Sequence, residues 1–556
     1  MRKSAAPRQI KSGRTRLFFS LLFLIFSKSF NAQSVIWQRL SEGNQFVDFF
    51  VNNAGLHTAI KPFLNIDLNN QRIPSKNTYR ELKTDTLDTP QLTWMNYYKK
   101  PDRHDYAPGR KNEWLIRPVY DLMPGYEFSR KRILYSAAAG FILNADCREK
   151  LGIELRFVPG MTALPSYQDS IAKFSGAIPG WGDRAYPMGN GKYSFQHFSG
   201  NIIWRPGKVF NLQLGRDKHF WGEGHRSLFL SDLSAAFPYI KQQTTIWRLQ
   251  YTSLFAWLQD WTNAYGPTGY SAKNFRSKFA TFHYISFNAA KWLNLGLFES
   301  VIWQGTDNNR SRGFDPNYLN PMVFFRPVEY SLGSSDNAML GFAMKIRFNS
   351  NNIFYSQIFL DEFFLKEIRD WSLGWWANKQ GMQLGYKCFN FGRVKNLFMQ
   401  TELSIVRPYT YSHGSPQQSY SNGGFALAHP MGANFAELIG MLSWSFKRLI
   451  VSGKLVGARY GLDSDNYNYG QDIFKSYTTR TSTGGDPDYG HKIFDGVGTN
   501  LFYAELRTSY RFNTAFPLRV ELIAGSRAEN NILTRKKSTY LMAGLSLPLW
   551  RSHRDF

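Results

Sequence analysis

The chain has 556 residues, a formal net charge of +26 and an aromatic content of 17%, with a mean hydropathy of -0.38. Beyond the N-terminus no apolar run approaches the roughly 18 residues that a membrane-spanning helix requires, so no transmembrane helix is expected. A transmembrane β-barrel is still allowed, because its strands alternate lipid-facing and lumen-facing residues and so escape any hydropathy average; a secreted all-β protein is the bland alternative.

Arg2 to Arg16 is rich in Arg and Lys without an acid, Leu17 to Phe26 is a short apolar run, and KSFNAQ follows. This order is that of a secretory signal peptide over residues 1–32, cut after Ala32, although Phe30 stands where a small residue is preferred. The order implies export through the Sec pathway. Removing the seven basic residues of the leader (Arg2, Lys3, Arg8, Lys11, Arg14, Arg16, Lys28) from +26 leaves +19. An exported protein this basic is expected to meet anionic glycan or lipid headgroups, not nucleic acid. Cys147 and Cys388 form no metal motif, and both are expected to be free and buried.

Residues 33–112 are mixed: HTAIKPFL is extended, whereas Asn77 to Lys100 has helical spacing broken by Pro90. We read this as an N-terminal, partly helical segment on the periplasmic side that plugs or braces the pore. From Trp114 onward, alternating segments of about ten residues follow one another. They are Trp114–Leu122, Ile133–Ala145, Leu151–Pro159, Tyr193–Trp204, Lys208–Arg216, Thr244–Tyr251, Ser253–Trp261, Ser277–Phe287 and Lys291–Trp303. The second half adds Met339–Phe348, Asn352–Leu360, Gly381–Asn390, Asn396–Arg407, Ala436–Phe446, Leu449–Tyr460, Asn500–Phe512, Leu518–Ala528 and Thr539–Trp550. Pro118 predicts a bulge or an end in the first strand.

Connections alternate between short (Arg205–Gly207, Asn288–Ala290, Lys447–Arg448) and long (Gly160–Lys192, Asp217–Gln243, Gln304–Ala338, Pro408–Phe435, Gly461–Thr499). That rhythm belongs to outer-membrane barrels. The predicted fold is therefore an all-β outer-membrane barrel of about eighteen antiparallel strands over residues 113–556.

Polar residues concentrate at the mouths of long loops. In FNLQLGRDKHFWGEGHRSLFLSD a strand breaks into Arg216, Asp217, His219, Trp221, Glu223, His225 and Arg226, with Gly222 and Gly224 allowing tight turns. FRPVEYSLGSSDN offers Arg326, Glu329, Tyr330, Asp336 and Asn337; IFLDEF offers Asp361 and Glu362; RPYTYSH offers Arg407. Aromatic rings stack on sugar faces, and the charged and amide groups hydrogen-bond hydroxyls and carboxylates. The alternative is a satisfied polar network inside the lumen. His219, Glu223 and His225 lack zinc-motif spacing, so no metal or other cofactor is expected. Asp361 and Glu362, adjacent on a strand, are expected on opposite faces, which disfavours a glycosidase pair. No residue pattern demands an enzyme.

GRDKHFWGEGHRSLFLSD, FFRPVEYSLGSSDNAMLGF, IFLDEF, GMQLGYKCFNFGRVKNLFMQTELSIVRPYTYSH and HTAIKPF together resemble the Wzi capsule-assembly family in its Bacteroidetes branch. The resemblance implies an eighteen-stranded outer-membrane barrel closed on the periplasmic side by an N-terminal helical element. It also implies a lectin-like role in attaching capsular polysaccharide to the cell surface; taken with the basic surplus, the expected partners are an acidic capsular or exported polysaccharide, outer-membrane lipids and polysaccharide-export or gliding machinery. Some relatives are gliding-motility proteins, which makes a motility or adhesion accessory the alternative.

Overall fold

The computed structural model describes residues 37–38, 52, 55–64, 113–147, 150–261, 265–266, 269–270, 275–307, 310–313, 336–362, 367, 371–464, 466–481, 486–512, 518–546 and 553–556. Residues 1–32, expected to be a signal peptide, the helical-spacing stretch 77–100 and the candidates Arg326, Glu329 and Tyr330 lie outside the described residues.

Eighteen long antiparallel strands close into a barrel. In chain order they are β1 (Glu113–Glu127), β2 (Arg132–Cys147), β3 (Leu151–Ala163), β4 (Lys192–Trp204), β5 (Phe210–Asp217) and β6 (Phe237–Ile246). There follow β7 (Leu249–Asp260), β8 (Arg276–Asn288), β9 (Leu293–Gln304), β10 (Asn337–Arg347), β11 (Asn352–Glu362) and β12 (Lys379–Phe389). The last are β13 (Leu397–Val406), β14 (Phe435–Phe446), β15 (Leu449–Leu462), β16 (Val497–Arg511), β17 (Arg519–Asn530) and β18 (Arg535–Ser546). Neighbours in sequence pair with each other, and β18 pairs with β1 through Tyr540↔Glu127 and Leu545↔Leu122, so the wall has no free edge.

Burial alternates along the wall, as in β13, where every second residue from Phe398 to Val406 is buried. The inner set packs and the outer set, including Trp114, Ile133, Leu438 and Phe502, is exposed. This is the two-sided pattern of a barrel that meets lipid outside and fills its lumen inside. The predicted rhythm of connections holds around most of the circumference; the hairpins 128–131 and 531–534, flanking the closure, are short although they stand at the long-loop end.

Along the wall the structure departs from the sequence reading at the β6–β7 turn, at Pro118 and at the two cysteines. The segment Thr244–Tyr251 straddles a turn: β6 ends at Ile246 and β7 begins at Leu249, with Trp247 taking the left-handed conformation (φ 54°). No Gly, Pro, Asn or Asp marks that turn, so its signal was absent from the sequence. Pro118 stands in unbroken register with Phe141 of β2 instead of in a bulge; the described pairing of β1 with β18 begins further on, at Asp121. Cys147 and Cys388 are free, as expected, but half-buried, not buried. Cys388 takes an outer-wall position between the buried Lys387 and Phe389.

Two inward glycines are covered by aromatic rings from the paired strand. Gly385 lies opposite Tyr355 and Gly525 opposite Tyr540, and a Cβ at either would run into the ring. The ring takes the place of the missing side chain. Gly385→Val should displace Tyr355, whose hydroxyl donates to Glu402 at 2.7 Å, at a cost of about 1–3 kcal/mol. The expected readout is a lower temperature for conversion from the compact to the unfolded gel species.

Candidate functional site

A barrel of this strand number encloses more space than wall side chains can fill, and three stretches of this chain enter the lumen. Loop 218–236, between β5 and β6, turns inward, and its Phe220–Trp221 forms a two-residue antiparallel ladder with Ile60–Lys61. Gly222 N–H donates to Ala59 O at 2.8 Å, and Lys61 Nζ donates to Gly222 O at 2.6 Å. The N-terminal stretch is held lower down by His57 Nδ1, 2.8 Å from Ser286 Oγ, and by Lys345 Nζ, which donates to Asn52 Oδ1 at 3.1 Å. The third stretch is the tail His553–Phe556, with His553 and Asp555 buried.

Arg226 joins these parts. Its side chain is fully buried, and burying a guanidinium is costly unless carboxylates surround it. Nε and Nη2 donate to the two oxygens of Glu437 on β14 (3.2 and 3.1 Å). Nη1 donates to Asp555 Oδ1 at 3.2 Å and to His553 Nδ1 at 3.3 Å. Burial opposes the charge of Arg226, but Asp555 and Glu437 outweigh burial and raise its pKa. Burial likewise opposes the charge of Asp555, yet Arg226 and Lys454 hold its carboxyl well below the usual range. Lys454 on β15 reaches Asp555 at 3.0 Å, and His429 Nε2 meets Glu437 at 2.8 Å.

The backbone of the loop is fixed by Glu402 on β13, which accepts the N–H groups of His225 and Arg226, each at 2.8 Å. Gly224 makes this approach possible, since a Cβ there would collide with the Glu402 carboxylate.

The predicted site residues therefore divide. Trp221 is wholly buried, edge-on to Phe282, Tyr284 and Phe298, and presents no stacking face at the mouth. Asp217 accepts from Asn201 Nδ2 at 2.8 Å, while His219 packs edge-to-face on Tyr239 with centroids 4.4 Å apart. Glu223 accepts from Thr58 and pairs with Lys345, and His225 meets Asp555 at 3.5 Å. Arg216 shares the outward parity of Leu214 on β5 and donates to Phe198 O at 2.6 Å. Its face is opposite to that of Asp217.

Asp336 is held bidentately by Arg312 (2.6 and 2.7 Å), and Asn337 donates to Gln418 O at 2.9 Å. Arg407 ties loops together by donating to Asn378 O at 2.7 Å. Asp361 and Glu362 correct the opposite-face expectation: β11 shifts register between Leu360 and Glu362, and both carboxylates reach Lys379 Nζ (3.4 and 3.3 Å). The bulge re-aims one side chain, and the lysine binds the pair.

His219, Glu223 and His225 do not converge. His225, His553 and Asp555 do, with candidate ligand atoms within 4.8 Å of one another. Arg226 and Lys454 already occupy the Asp555 carboxylate. The remaining His553 nitrogen, Nε2, is 2.8 Å from Asp232. Two cations at the same carboxylate suit an internal latch better than a metal.

Other functional candidates lie on the loops after β11, β13 and β15. Trp375 and Trp376 are half-buried beside Tyr477, whose ring is 4.7 Å from that of Trp376, and the Arg480 guanidinium lies 4.5 Å from the Trp376 ring centre. Tyr467 is exposed. The doublet in DWSLGWW was the available signal. Asn434 orders this side of the mouth by donating to Asp495 O and Gly461 O (2.9 and 3.1 Å) and accepting from Phe494 N–H at 2.6 Å.

No family model and no curated protein sequence matches this chain. Among solved structures, the fold is similar to that of Wzi from Escherichia coli, an outer membrane protein involved in group 1 capsule assembly and described as a carbohydrate-binding β-barrel. The two are 13% identical with a TM-score of 0.54, over 92% of this chain and 99% of that one. Pseudomonas aeruginosa OprD (8% identity, TM-score 0.41, 79% and 95% covered) and Acinetobacter baumannii OccAB2 (9%, 0.41, 78% and 97%) also match. The fold is thus that of outer-membrane barrels, and its likeness to Wzi is one of architecture.

The latch and two buried histidines can each be tested. Arg226→Ala leaves Glu437 and Asp555 facing each other without their shared cation and should cost about 3–5 kcal/mol; single-channel recordings should show larger or noisier conductance than wild type. The second concerns acid. Burial lowers His225 to about 3, with Lys454 and Arg226 adding to the shift, and burial with Lys379 lowers His413 to about 4. Each is depressed below the ordinary value of 6.5, so its contribution is complete above pH 6.5 and is lost as pH falls toward the folded value. Between pH 6.5 and 5 each histidine removes up to about 2 kcal/mol. Protease cleavage of the loops should therefore accelerate at pH 5, and His225→Gln should flatten that response; an unchanged pH response would exclude His225 as a contributor.

Proposed function

We propose that the protein is a non-enzymatic outer-membrane barrel that binds acidic capsular or exported polysaccharide and holds it at the cell surface, in the manner of the Bacteroidetes branch of Wzi-like proteins. The observation that carries this reading is the packed lumen: Trp221, Arg226, Tyr411 and Tyr420 are fully buried in the middle of the barrel. A barrel filled by its own loops has its recognition surface at the mouth, where Trp375, Trp376, Tyr477 and Arg480 stand together. Architectural likeness to a carbohydrate-binding barrel supports the same reading. In this proposal residues 1–32 direct export through the Sec pathway, residues 33–112 brace the periplasmic side, and polysaccharide-export components are the partners.

The test is retention of an acidic polysaccharide by the purified barrel and by cells. Trp376→Ala and Arg480→Ala should each weaken binding roughly tenfold, the worth of one aromatic or charged contact of about 1–2 kcal/mol. Trp221→Ala should lower stability by about 3–5 kcal/mol instead, as loss of a buried ring. Cells that keep their glycan fully while losing gliding or adhesion would refute the anchoring role and assign the barrel to protein partners.

A further inference from the structure

The short turns of the barrel share one charge sign. At the short-turn end the connections are 205–209, 247–248, 289–292, 348–351, 390–396 and 447–448, with Lys150 in the turn before β3 and Phe512 and Leu518 bordering the last. No Asp or Glu occurs among the described residues of these turns, whereas Lys208, Arg248, Lys291, Lys395, Lys447 and Arg448 are all present and exposed. The other end is mixed: loop 463–496 carries Asp463, Asp472, Asp486, Asp488 and Asp495 beside Lys475, Arg480 and Lys492, while Arg130, Lys131, Arg535, Lys536 and Lys537 are exposed at the two hairpins that flank the closure.

The basic turns sit directly beside an exposed aromatic belt on the outer wall, formed at this end by Trp204, Trp247, Trp292, Phe348, Phe446 and Phe512. Arg248 lies 5.1 Å from the centre of the Trp247 ring and Lys447 5.5 Å from that of Phe446. Such rings settle at the boundary between hydrocarbon and headgroups. The cations beside them are therefore placed at headgroup depth.

The geometry points to the short-turn rim as a docking surface for the anionic phospholipids of the leaflet in which it sits. Each basic turn belongs to a different hairpin, so the charges surround the wall as annular lipids do. A polymer held at one spot would call for a cluster in one sector or at the lumen. Basic residues near an anionic bilayer surface attract its headgroups within about a Debye length, and salt screens that attraction. This surface is independent of the mouth and of any glycan bound there.

The experiment is competition between phosphatidylglycerol and phosphatidylcholine for the full-length barrel in detergent, read by native mass spectrometry. Wild type should retain phosphatidylglycerol at least about tenfold better at low salt, with the preference shrinking as salt rises. A variant with Arg248→Gln, Lys291→Gln, Lys395→Gln, Lys447→Gln and Arg448→Gln should fall to near parity, while Lys291→Arg with Lys395→Arg and Lys447→Arg should keep the preference. Heat-modifiability checks folding; if the fivefold variant does not fold, Lys447→Gln with Arg448→Gln and Lys291→Gln with Lys395→Gln should each give a partial loss. Equal retention of the two lipids by wild type, or a phosphatidylglycerol preference untouched by neutralising the turns, overturns the proposal. So does loss of alginate binding in the neutralised variant with lipid preference intact, which would make the partner a soluble polyanion.

Discussion

The arrangement depends on one buried cation. Arg226 stands where loop 218–236, strand β14 and the chain's last described residues meet, with both Glu437 oxygens and Asp555 within 3.2 Å. A desolvated guanidinium tolerates few arrangements, because every donor that loses its carboxylate is left in a dry interior. The loop can enter the lumen only in the register that delivers Arg226 to Glu437 while Glu402 receives the two backbone N–H groups beside it. Trp221 is then carried into the aromatic pocket of β8 and β9, and Ile60–Lys61 gains a strand to pair with. Hydrophobic burial supplies most of the driving force. The ion pairs select one conformation of the loop among the compact ones available.

Much of the barrel was legible because its physics is periodic. Closure demands strands of similar length, and a wall between lipid and lumen demands alternation; both leave marks in FMQTELSIV and in VELIAGSRA that survive without any alignment. Where the marks failed, a local feature had no sequence signature. The β6–β7 turn uses Trp247 and Arg248, neither a turn former, and the bulge at Asp361 cannot be seen in IFLDEF. Short-range periodicity also carries no information about what folds into a lumen.

The same limit explains the reading of the polar cluster. GRDKHFWGEGHRS was recognisable as a special stretch, and both the mouth and the lumen were consistent with it. What decides between them lies far away in sequence: Glu402, Glu437 and Asp555 contact this loop across separations of more than 170 residues. Glu402 and Glu437 are isolated acids at inward positions of TELSIV and FAELIG, and a buried carboxylate requires a cation or a set of hydrogen-bond donors. That was a usable sign that a loop bearing donors and a cation enters the barrel. The tail HRDF, four residues of no distinctive pattern, offered no such sign.

Charge placement also changes what net charge says about recognition. The surplus of +19 that residues 33–556 carry points to an acidic ligand, but several of the cations it counts belong to the short turns, and others, such as Arg226, Lys345, Lys379 and Lys454, are buried against carboxylates. The mouth itself is mixed: Arg480 pairs with Asp488, and Lys475 lies 3.6 Å from Asp463. Long-range attraction between such a surface and a polyanion is weak, since opposite charges a few ångströms apart cancel beyond a Debye length. On the proposed reading, affinity for an acidic glycan at this mouth comes from contacts at short range, from Trp and Tyr faces and individually placed donors. Binding of that kind discriminates by the shape of the sugar more than by its charge, and varies less with salt than net charge alone would suggest.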